Sequence, residues 1–175
     1  MNSDQMKILV WSDAAFANLS DKVSSGGGYV IFLVDSSLNC APLCWKTNKI
    51  KRVVRSTLAA EALILESSVE HALYLRDLLK EMLGTDFDFP IYAWTDNNNA
   101  FKAVHSTSFV DDHKLRIDIA CLKENIQAEN VEVKWCKGDK MLANCLTKKG
   151  ASPDSLLQTV STGTLHHQCD PCDLI

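Results

Sequence analysis

The sequence predicts an α/β fold in which helices cover a mixed β-sheet. Short apolar stretches rich in β-forming residues alternate with longer segments in which apolar residues recur every three or four positions. A strand-to-helix step in the second half of the chain implies a crossover connection, and such a connection joins parallel strands. The three strands before the first long helix are joined by short segments, which is typical of an antiparallel meander.

Length and composition limit the class of protein. A chain of 175 residues suits one domain, predicted at residues 1–150, with a C-terminal extension at 151–175 that is partly irregular. The hydrophobic content of 46% excludes a disordered chain and a small disulfide scaffold. Seven cysteines, an odd number, indicate reduced thiols in an intracellular protein, and no apolar run approaches the span of a bilayer. Most of the net charge of −4 lies in the extension, which holds three aspartates and no Lys or Arg.

The first three strands are predicted in the first quarter of the chain. The apolar run 8–11 stops on Ser12 and Asp13, and a carboxylate at the end of a buried strand is costly unless it is paired or bound to a metal ion. A turn aspartate that closes the strand is the alternative. The glycines at 26–28 are predicted to form a turn, and two further strands follow at 29–34 and 40–45.

A dense positive cluster follows the third strand, in the segment KTNKIKRVVR at 46–55. A run of charges is commonly a solvated loop, and this interpretation stays open. The other interpretation is a surface that contacts nucleic-acid phosphates, because Lys and Arg supply most phosphate contacts. The cluster consists of Lys46, Lys49, Lys51, Arg52 and Arg55.

A long helix is predicted from a cap at Ser56 or Thr57 to about residue 83, where a glycine follows. Glu61 falls on the apolar stripe of this helix, whereas Glu66 and Glu70 can face water. A glutamate that faces the core in the first turns could interact with the helix dipole or bind a metal ion. Both alternatives remain open at this point.

The fourth strand, at 90–95, ends as the first one does, on Trp, a hydroxyl residue and an aspartate, Asp96. A crossover places these two strands parallel, so their carboxyl ends lie at the same edge of the sheet. Three carboxylates that converge there repel one another, and divalent cations such as Mg²⁺ or Mn²⁺ relieve that repulsion. The remaining predicted elements are a helix at 100–104, a helix within 109–129 capped by Asp111 and Asp112, a strand at 131–136, a helix at 140–148 and a turn at 156–160.

The order of these elements and several motifs resemble the ribonuclease H domain of Ty1/copia-type retrotransposon polyproteins. The matching motifs run in family order from about residue 8 to residue 150: WSDAAFA, SGGGYVIFL, STLAAEALIL, YAWTDNNNA, DDHKLRIDIACLKENI and VKWCKGDKMLANCLTKKG. The resemblance implies a five-stranded mixed sheet of order 3-2-1-4-5 with helices on both faces. It also implies metal-dependent cleavage of the RNA strand of RNA–DNA hybrids, beside the reverse transcriptase domain of a parent polyprotein.

The resemblance implies a set of catalytic metal ligands for two Mg²⁺ ions, with Mn²⁺ as a possible substitute. Asp13, Glu61 and Asp96 match the first three ligands. The fourth should be an aspartate, but the family's LAD-x-LTK motif reads LANCLTK here, which places Asn144 at that position. An amide brings no charge to hold the second ion, so activity should be absent or strongly weakened. Asp139 is an alternative fourth carboxylate, and Asn144 is either an engineered change or natural decay.

The resemblance also implies the groups that contact the substrate. Asn97 and Asn98 match positions that reach the minor groove of the hybrid, where 2′-hydroxyls distinguish RNA from DNA. Ser12 is predicted to contact the backbone of the hybrid beside that groove. The positive cluster at 46–55, together with Lys148 and Lys149, is predicted to hold phosphates.

Two rival functions stay open from the sequence alone. A non-catalytic nucleic-acid-binding or structural module would keep the fold and lose the chemistry, which agrees with Asn144 and the acidic net charge. An integrase-type core would share the fold, but it uses a different order of acidic elements. The extension adds one further question, because its motif HHQCDPC has zinc-like spacing and is otherwise an irregular tail. The residues concerned are His166, His167, Cys169 and Cys172.

Overall fold

The computed structural model describes residues 6–18, 24–84, 87–107, 110 and 112–166. A five-stranded sheet of order β3-β2-β1-β4-β5 forms its centre. β1 pairs antiparallel with β2, as β2 does with β3, whereas β4 is parallel to both β1 and β5. The predicted mixed sheet and its strand order are therefore confirmed. The strands are β1 (Lys7–Ala15), β2 (Gly26–Val34), β3 (Cys40–Lys49), β4 (Ile91–Thr95) and β5 (Val131–Trp135).

Within the described part of the chain, five α-helices surround the sheet, and the first of them matches its prediction closely. Ser56 caps it, accepting a hydrogen bond from the backbone N–H of Ala59. Asp112 caps the third helix in the same way. The helices are α1 (Thr57–Leu83), α2 (Asn98–His105), α3 (His113–Ala128), α4 (Asn144–Thr147) and α5 (Asp154–Thr162), and a 3₁₀ turn lies at Gly138–Lys140.

The predicted helix at 140–148 is wrong. The chain instead makes the 3₁₀ turn, a bend and the single helical turn of α4. Three consecutive residues between them, Met141, Leu142 and Ala143, are all buried. A continuous helix would spread three consecutive side chains around its axis and could not bury all of them against one sheet.

Three strand boundaries also differ from the prediction. β1 continues past Trp11 to Ala15, so Asp13 lies inside a strand rather than at its end. The glycines predicted to form a turn belong to β2, where Gly28 pairs with Asp13. β3 continues to Lys49, so the first part of the positive cluster is strand. In each case pairing with the neighbouring strand overrides the local turn propensity.

Each face of the sheet has its own apolar core. α1, α2 and α3 cover one face, and the buried residues there include Val10, Ile31, Leu65, Val104 and Leu122. Residues around α4 and α5 cover the other face, with Leu142 and Leu165 packed near Trp11, Phe32 and Trp94. The indoles of Trp11 and Trp94 stack, with ring centroids 5.0 Å apart and an interplanar angle of 13°. Such a pair adds about 1 kcal/mol beyond its area burial.

Two adjacent glycines of β2 let the helices approach the sheet closely. A Cβ atom added at Gly27 would overlap the side chain of Ile64 on α1. A Cβ atom added at Gly28 would lie 2.9 Å from Cβ of Leu146 and 3.1 Å from the carbonyl oxygen of Lys46. The missing side chains therefore bring α1 and α4 against opposite faces of one strand.

Residues after 150 pack on the domain as far as Leu165. α5 is longer than the predicted turn at 156–160, and Thr164 forms a β-bridge with Asn39 at the start of β3. Leu165 is buried in the core beneath α5. The cysteines at 40, 44, 121, 136 and 145 are free thiols. Among the residues described, no helix has the length and apolar character needed to cross a membrane.

Candidate active site

Three carboxylates converge at one edge of the sheet. Asp13 lies on β1, Glu61 on the second turn of α1, and Asp96 directly after β4. Trp11 pairs with Trp94 in the parallel register, so the two aspartates lie equally far along neighbouring strands. One oxygen atom from each of the three carboxylates lies within 4.8 Å of the others. The convergence predicted from the two Trp-hydroxyl-Asp motifs and the buried glutamate is present in the structure.

Burial makes this acidic group electrostatically costly. Asp13 is fully buried and the exposed fraction of Glu61 is only 3%. Burial, reinforced by the charges of Asp13 and Asp96, raises the pKa of Glu61 to about 9. Burial also raises the pKa of Asp13, although hydrogen bonds from Thr147 and Lys148 oppose the shift. The surrounding protein groups therefore do not fully stabilise the charged forms of Asp13 and Glu61.

The donor set fits a divalent metal ion. Oε2 of Glu61 is buried and has no hydrogen-bond partner among the residues described. A buried polar atom without a partner is rare and calls for an explanation such as a bound ion or water. The three carboxylates supply only oxygen donors, the ligands that Mg²⁺ and Mn²⁺ prefer.

Asn144, at the fourth predicted ligand position, lies beside the acidic group. Its Oδ1 atom accepts a hydrogen bond of 2.6 Å from Nζ of Lys148, and its Nδ2 atom donates to the carbonyl oxygen of Gly138. A Cβ atom added at Gly138 would lie 3.4 Å from Oδ2 of Asp96 and 3.9 Å from Nδ2 of Asn144, so all three are close neighbours. Asp139 is exposed and does not join the described acidic group, so it does not replace the missing carboxylate.

Lys148 lies inside the site rather than on a phosphate-binding surface beside it. Its Nζ atom is 2.9 Å from Oδ1 of Asp13 and 3.4 Å from Oδ2 of Asp96. Burial works to lower the pKa of Lys148, but the bonds to the two aspartates outweigh it and leave the pKa raised. Thr147 donates a hydrogen bond to the other carboxylate oxygen of Asp13. Sequence reasoning missed both roles, although a spacing of four residues places Lys148 beside Asn144 on a helical turn.

The predicted minor-groove contacts have different outcomes. Ser12 is fully buried and its hydroxyl donates to the carbonyl oxygen of Trp94, so its side chain has no surface for a substrate contact. This is a correction to the prediction. The side-chain oxygen of Asn97 caps α2 by accepting from the N–H groups of Asn99 and Ala100. Asn98, at the first position of α2, is exposed next to Asp96.

The positive cluster divides into two parts in the structure. Lys46 and Lys49 are exposed on β3, and the ammonium of Lys46 lies 5.9 Å from the ring centroid of Tyr29. Arg52 makes an ion pair with Asp118 of α3, and its side chain remains 49% exposed. The cluster's other exposed cations are Lys51 and Arg55, and Lys149 is exposed next to the site.

Trp135 lies near the site, and the sequence analysis did not predict a role for it. Trp135, at the end of β5, is 43% exposed, and its indole N–H donates a hydrogen bond of 3.0 Å to the carbonyl oxygen of Asp96. It therefore fixes the backbone at one of the three carboxylates. Of the four residues with zinc-like spacing, His166 hydrogen-bonds Thr162, and the other three lie outside the described residues.

Comparison of the fold identifies its class. The structure resembles ribonuclease H1 from the halophilic archaeon Halobacterium salinarum, with a TM-score of 0.59 and 16% identity over 81% of this chain and 94% of that one. It also resembles LC11-RNase H1, which was isolated from compost and solved in complex with an RNA/DNA hybrid. The TM-score is 0.59 and the identity 16%, over 86% of this chain and 99% of that one. A foamy viral protease–reverse transcriptase in complex with dsDNA matches with a TM-score of 0.58 and 14% identity over 86% and 97%. The fold is that of ribonuclease H domains.

The sequence comparison gives the particular relatives. The chain is 26% identical over 144 residues to the retrovirus-related Pol polyprotein from transposon RE2 of Arabidopsis thaliana, and 27% identical over 144 residues to that from transposon RE1. Each match covers 82% of this chain, which spans about a tenth of the length of these relatives. No family model matches the sequence. The predicted resemblance to a retrotransposon ribonuclease H domain is confirmed by the two comparisons together.

Proposed function

We propose that this chain is a metal-dependent nuclease domain that cleaves the RNA strand of RNA–DNA hybrids. The observation that carries the proposal is the acidic group, in which three carboxylates from β1, α1 and β4 bring oxygen atoms within 4.8 Å of one another. The fold supports it, since the group lies at the edge of a ribonuclease H sheet. The similarity to Pol polyproteins supports a partner, the reverse transcriptase domain of a longer polyprotein.

The residues of the acidic group would each have a defined part in this reaction. Asp13, Glu61 and Asp96 would hold Mg²⁺, or Mn²⁺ in its place. Two such ions, when bound, supply the charge that activates a water molecule and stabilises the leaving oxygen of a phosphodiester. The products would be a 3′-hydroxyl and a 5′-phosphate. Trp135 holds the Asp96 backbone in place while the ligand carboxylate carries the charge.

Substrate binding would use groups on both sides of the acidic group. Asn98 is exposed next to Asp96, where its amide can donate to and accept from the 2′-hydroxyls and base edges of a minor groove. The exposed cations of β3 and the loop after it would bind phosphates on one side of the group, and Lys149 would do so on the other. These cations are Lys46, Lys49, Lys51 and Arg55.

Asn144 is expected to weaken the reaction strongly. An amide oxygen can contact a metal ion, but it leaves the site one negative charge short of the family pattern. A loss of about 2.7 kcal/mol in transition-state stabilisation lowers a rate a hundredfold, and removal of a ligand charge from a two-metal site costs at least that order.

The decisive experiment compares the given chain with Asn144→Asp on a labelled RNA–DNA hybrid in Mg²⁺ and in Mn²⁺. We expect Asn144→Asp to cut the RNA strand at least a hundredfold faster, with 3′-hydroxyl ends. The double variant Asn144→Asp with Asp96→Asn is the matched control and should not cut. If Asn144→Asp neither cuts nor binds the hybrid more tightly than plain duplex, the proposal fails.

A second candidate function is a non-catalytic nucleic-acid-binding module. The observation that favours it is the environment of Asn144, whose amide donates to Gly138 and accepts from Lys148. Both polar ends of the side chain are thus satisfied by the protein itself. Preferential binding of hybrid by both chains, without cleavage by Asn144→Asp, would support this function over the nuclease.

A further inference from the structure

The acidic group already contains a cation that belongs to the chain. Nζ of Lys148 lies 2.9 Å from Asp13, 3.4 Å from Asp96 and 2.6 Å from Oδ1 of Asn144. The ammonium thus contacts three of the four predicted metal ligands, and only Glu61 lies beyond its hydrogen bonds. These are charge-assisted contacts of the kind that a metal ion would otherwise make with the same oxygens.

The ammonium of Lys148 can move from the acidic group into solvent. The side chain of Lys148 is 42% exposed, whereas Asp13 is fully buried. Lys148 follows the single turn of α4 directly, so a flexible four-carbon side chain carries the ammonium from a position at the mouth of the site. Rotation about its side-chain bonds can carry the ammonium toward solvent, and this movement removes its contacts with Asp13 and Asp96.

Lys149 provides an internal comparison. It is the next residue, it is exposed and it carries the same charge, but it takes no part in the hydrogen bonds and ion pairs of the acidic group. A general effect of positive charge near the site would therefore be shared by the two lysines. An effect that requires the ammonium to lie within the acidic group would be found for Lys148 alone.

We propose that Lys148 is a tethered cation that occupies the acidic group until a divalent metal ion enters, and that this ion displaces it from Asp13 and Asp96. The inference rests on the proposed metal-dependent function and adds a competing ligand to it. Asn144 contributes by accepting a third hydrogen bond from the ammonium. Lys148 is therefore a competitor of the metal ion for the oxygens of Asp13 and Asp96.

The first test is acetylation of the intact chain with acetic anhydride, followed by mass spectrometry of the modified lysines. In EDTA we expect Lys148 to react at least tenfold more slowly than Lys149, because its ammonium is held by two carboxylates. Saturating Mn²⁺ should raise the reactivity of Lys148 several-fold and leave that of Lys149 unchanged. No substitution is needed, so this result does not depend on the folding of a variant.

The second test is the Mn²⁺ affinity, measured by electron paramagnetic resonance. Lys148→Met should bind Mn²⁺ at least tenfold more tightly than the given chain, and Lys149→Met, which changes the net charge equally, should stay within twofold. Lys148→Gln is the fallback variant, because its amide keeps a donor toward Asp13 if the Met variant does not fold.

The outcomes separate this inference from the proposed function. If Mn²⁺ binds and Asn144→Asp cleaves the hybrid, but the reactivity of Lys148 is unchanged by the metal, the inference is wrong and the nuclease proposal stands. Equal tightening in the Lys148 and Lys149 variants would also overturn it. If neither the given chain nor Asn144→Asp binds Mn²⁺, the proposed function fails and the inference fails with it.

Discussion

The candidate site consists of two halves with different architecture. The acidic half comprises Asp13, Glu61 and Asp96, carried by β1, by the 27-residue helix α1 and by the end of β4. The loop half is the segment 137–148, which contains only a three-residue 3₁₀ turn and the four-residue α4. Two central strands of the sheet and a long helix, packed in the apolar cores, hold the first half, whereas a few hydrogen bonds and buried apolar residues hold the second.

This difference matches where the chain departs from the pattern of the retrotransposon ribonuclease H domains that it resembles. The three carboxylates of the acidic half are all present and converge. The departure, Asn144, lies in the loop half. Residues in the acidic half are also parts of strand pairing and core packing, so the fold constrains their positions. A substitution in the loop half should change metal binding or activity more than it changes the stability of the fold. The two halves should therefore respond differently to substitution.

The largest expected effect is a pH dependence of stability that comes from the acidic half. Between its usual pKa of 4.5 and the raised value of about 9, Glu61 binds a proton in the folded protein but not in the unfolded one. Stability therefore falls as pH rises, by roughly 3 kcal/mol between pH 4.5 and pH 7 for this group alone. Denaturant unfolding in EDTA across this range measures it.

A matched pair of variants assigns that slope. Glu61→Gln has no proton to release and should flatten the fall in stability, whereas Glu81→Gln, at an exposed position on the same helix, should keep it. A Glu61→Gln variant with the slope of the parent chain would show that the acidic half is not under electrostatic strain.

The next effect concerns divalent cation binding. Asp96→Asn removes the negative charge of one of the three carboxyl groups of the acidic half and should weaken Mn²⁺ binding about a hundredfold, or roughly 2.7 kcal/mol. Asp139→Asn removes an equal charge from an exposed position of the loop half and should change the affinity less than twofold. Calorimetric titration measures both. Similar losses in the two variants would mean that Mn²⁺ responds to net charge alone and not to a formed site.

A smaller effect is expected from the adjacent glycines, because each supports a different half. Gly28→Ala should cost about 1–3 kcal/mol, since its Cβ meets Leu146 and the backbone of β3. Hydrogen exchange of the α4 amides should accelerate in this variant. Gly27→Ala pushes on Ile64 instead and should leave exchange in α4 unchanged. Faster exchange in α4 from both variants would show that the halves are mechanically coupled.

The smallest effect is expected at Trp135, whose hydrogen bond to Asp96 links the end of β5 to the acidic half. Trp135→Phe keeps an aromatic ring and removes the donor, so it should cost about 1 kcal/mol in the free energy of unfolding. We expect a drop of a few degrees in the melting temperature and a several-fold loss of Mn²⁺ affinity. Unchanged values for both would mean that the strand pairing alone fixes Asp96.

The sequence predicted the acidic half well, because its signals are local. Two apolar stretches that each lead into Trp, a hydroxyl residue and Asp predict their own parallel alignment, and Glu61 is visible as a charge on an apolar stripe. The loop half was predicted poorly. Its predicted continuous helix is replaced by a 3₁₀ turn and the single turn of α4, and the engagement of Lys148 depends on contacts more than a hundred residues apart.

The errors around β2 and Ser12 have a related cause. A run of three glycines predicts a turn when only neighbours in sequence are considered, but pairing with β1 and the approach of two helices make it strand. The substrate contact of Ser12 was predicted from the resemblance and not from its position in the strand. Side chains alternate along a strand, so the two residues face opposite sides, and the hydroxyl of Ser12 is buried against β4.

The pair formed by Gly27 and Ile64 has a consequence for comparing and redesigning such chains. A larger side chain at position 27 requires a smaller one at position 64, because the δ and γ carbons of Ile64 fill the space that a side chain at Gly27 would need. A relative with alanine at the first position should carry a smaller residue at the second. Ile64 is the third residue after Glu61, on the same side of α1, so this exchange is a means to adjust the depth of Glu61 without substituting Glu61 itself.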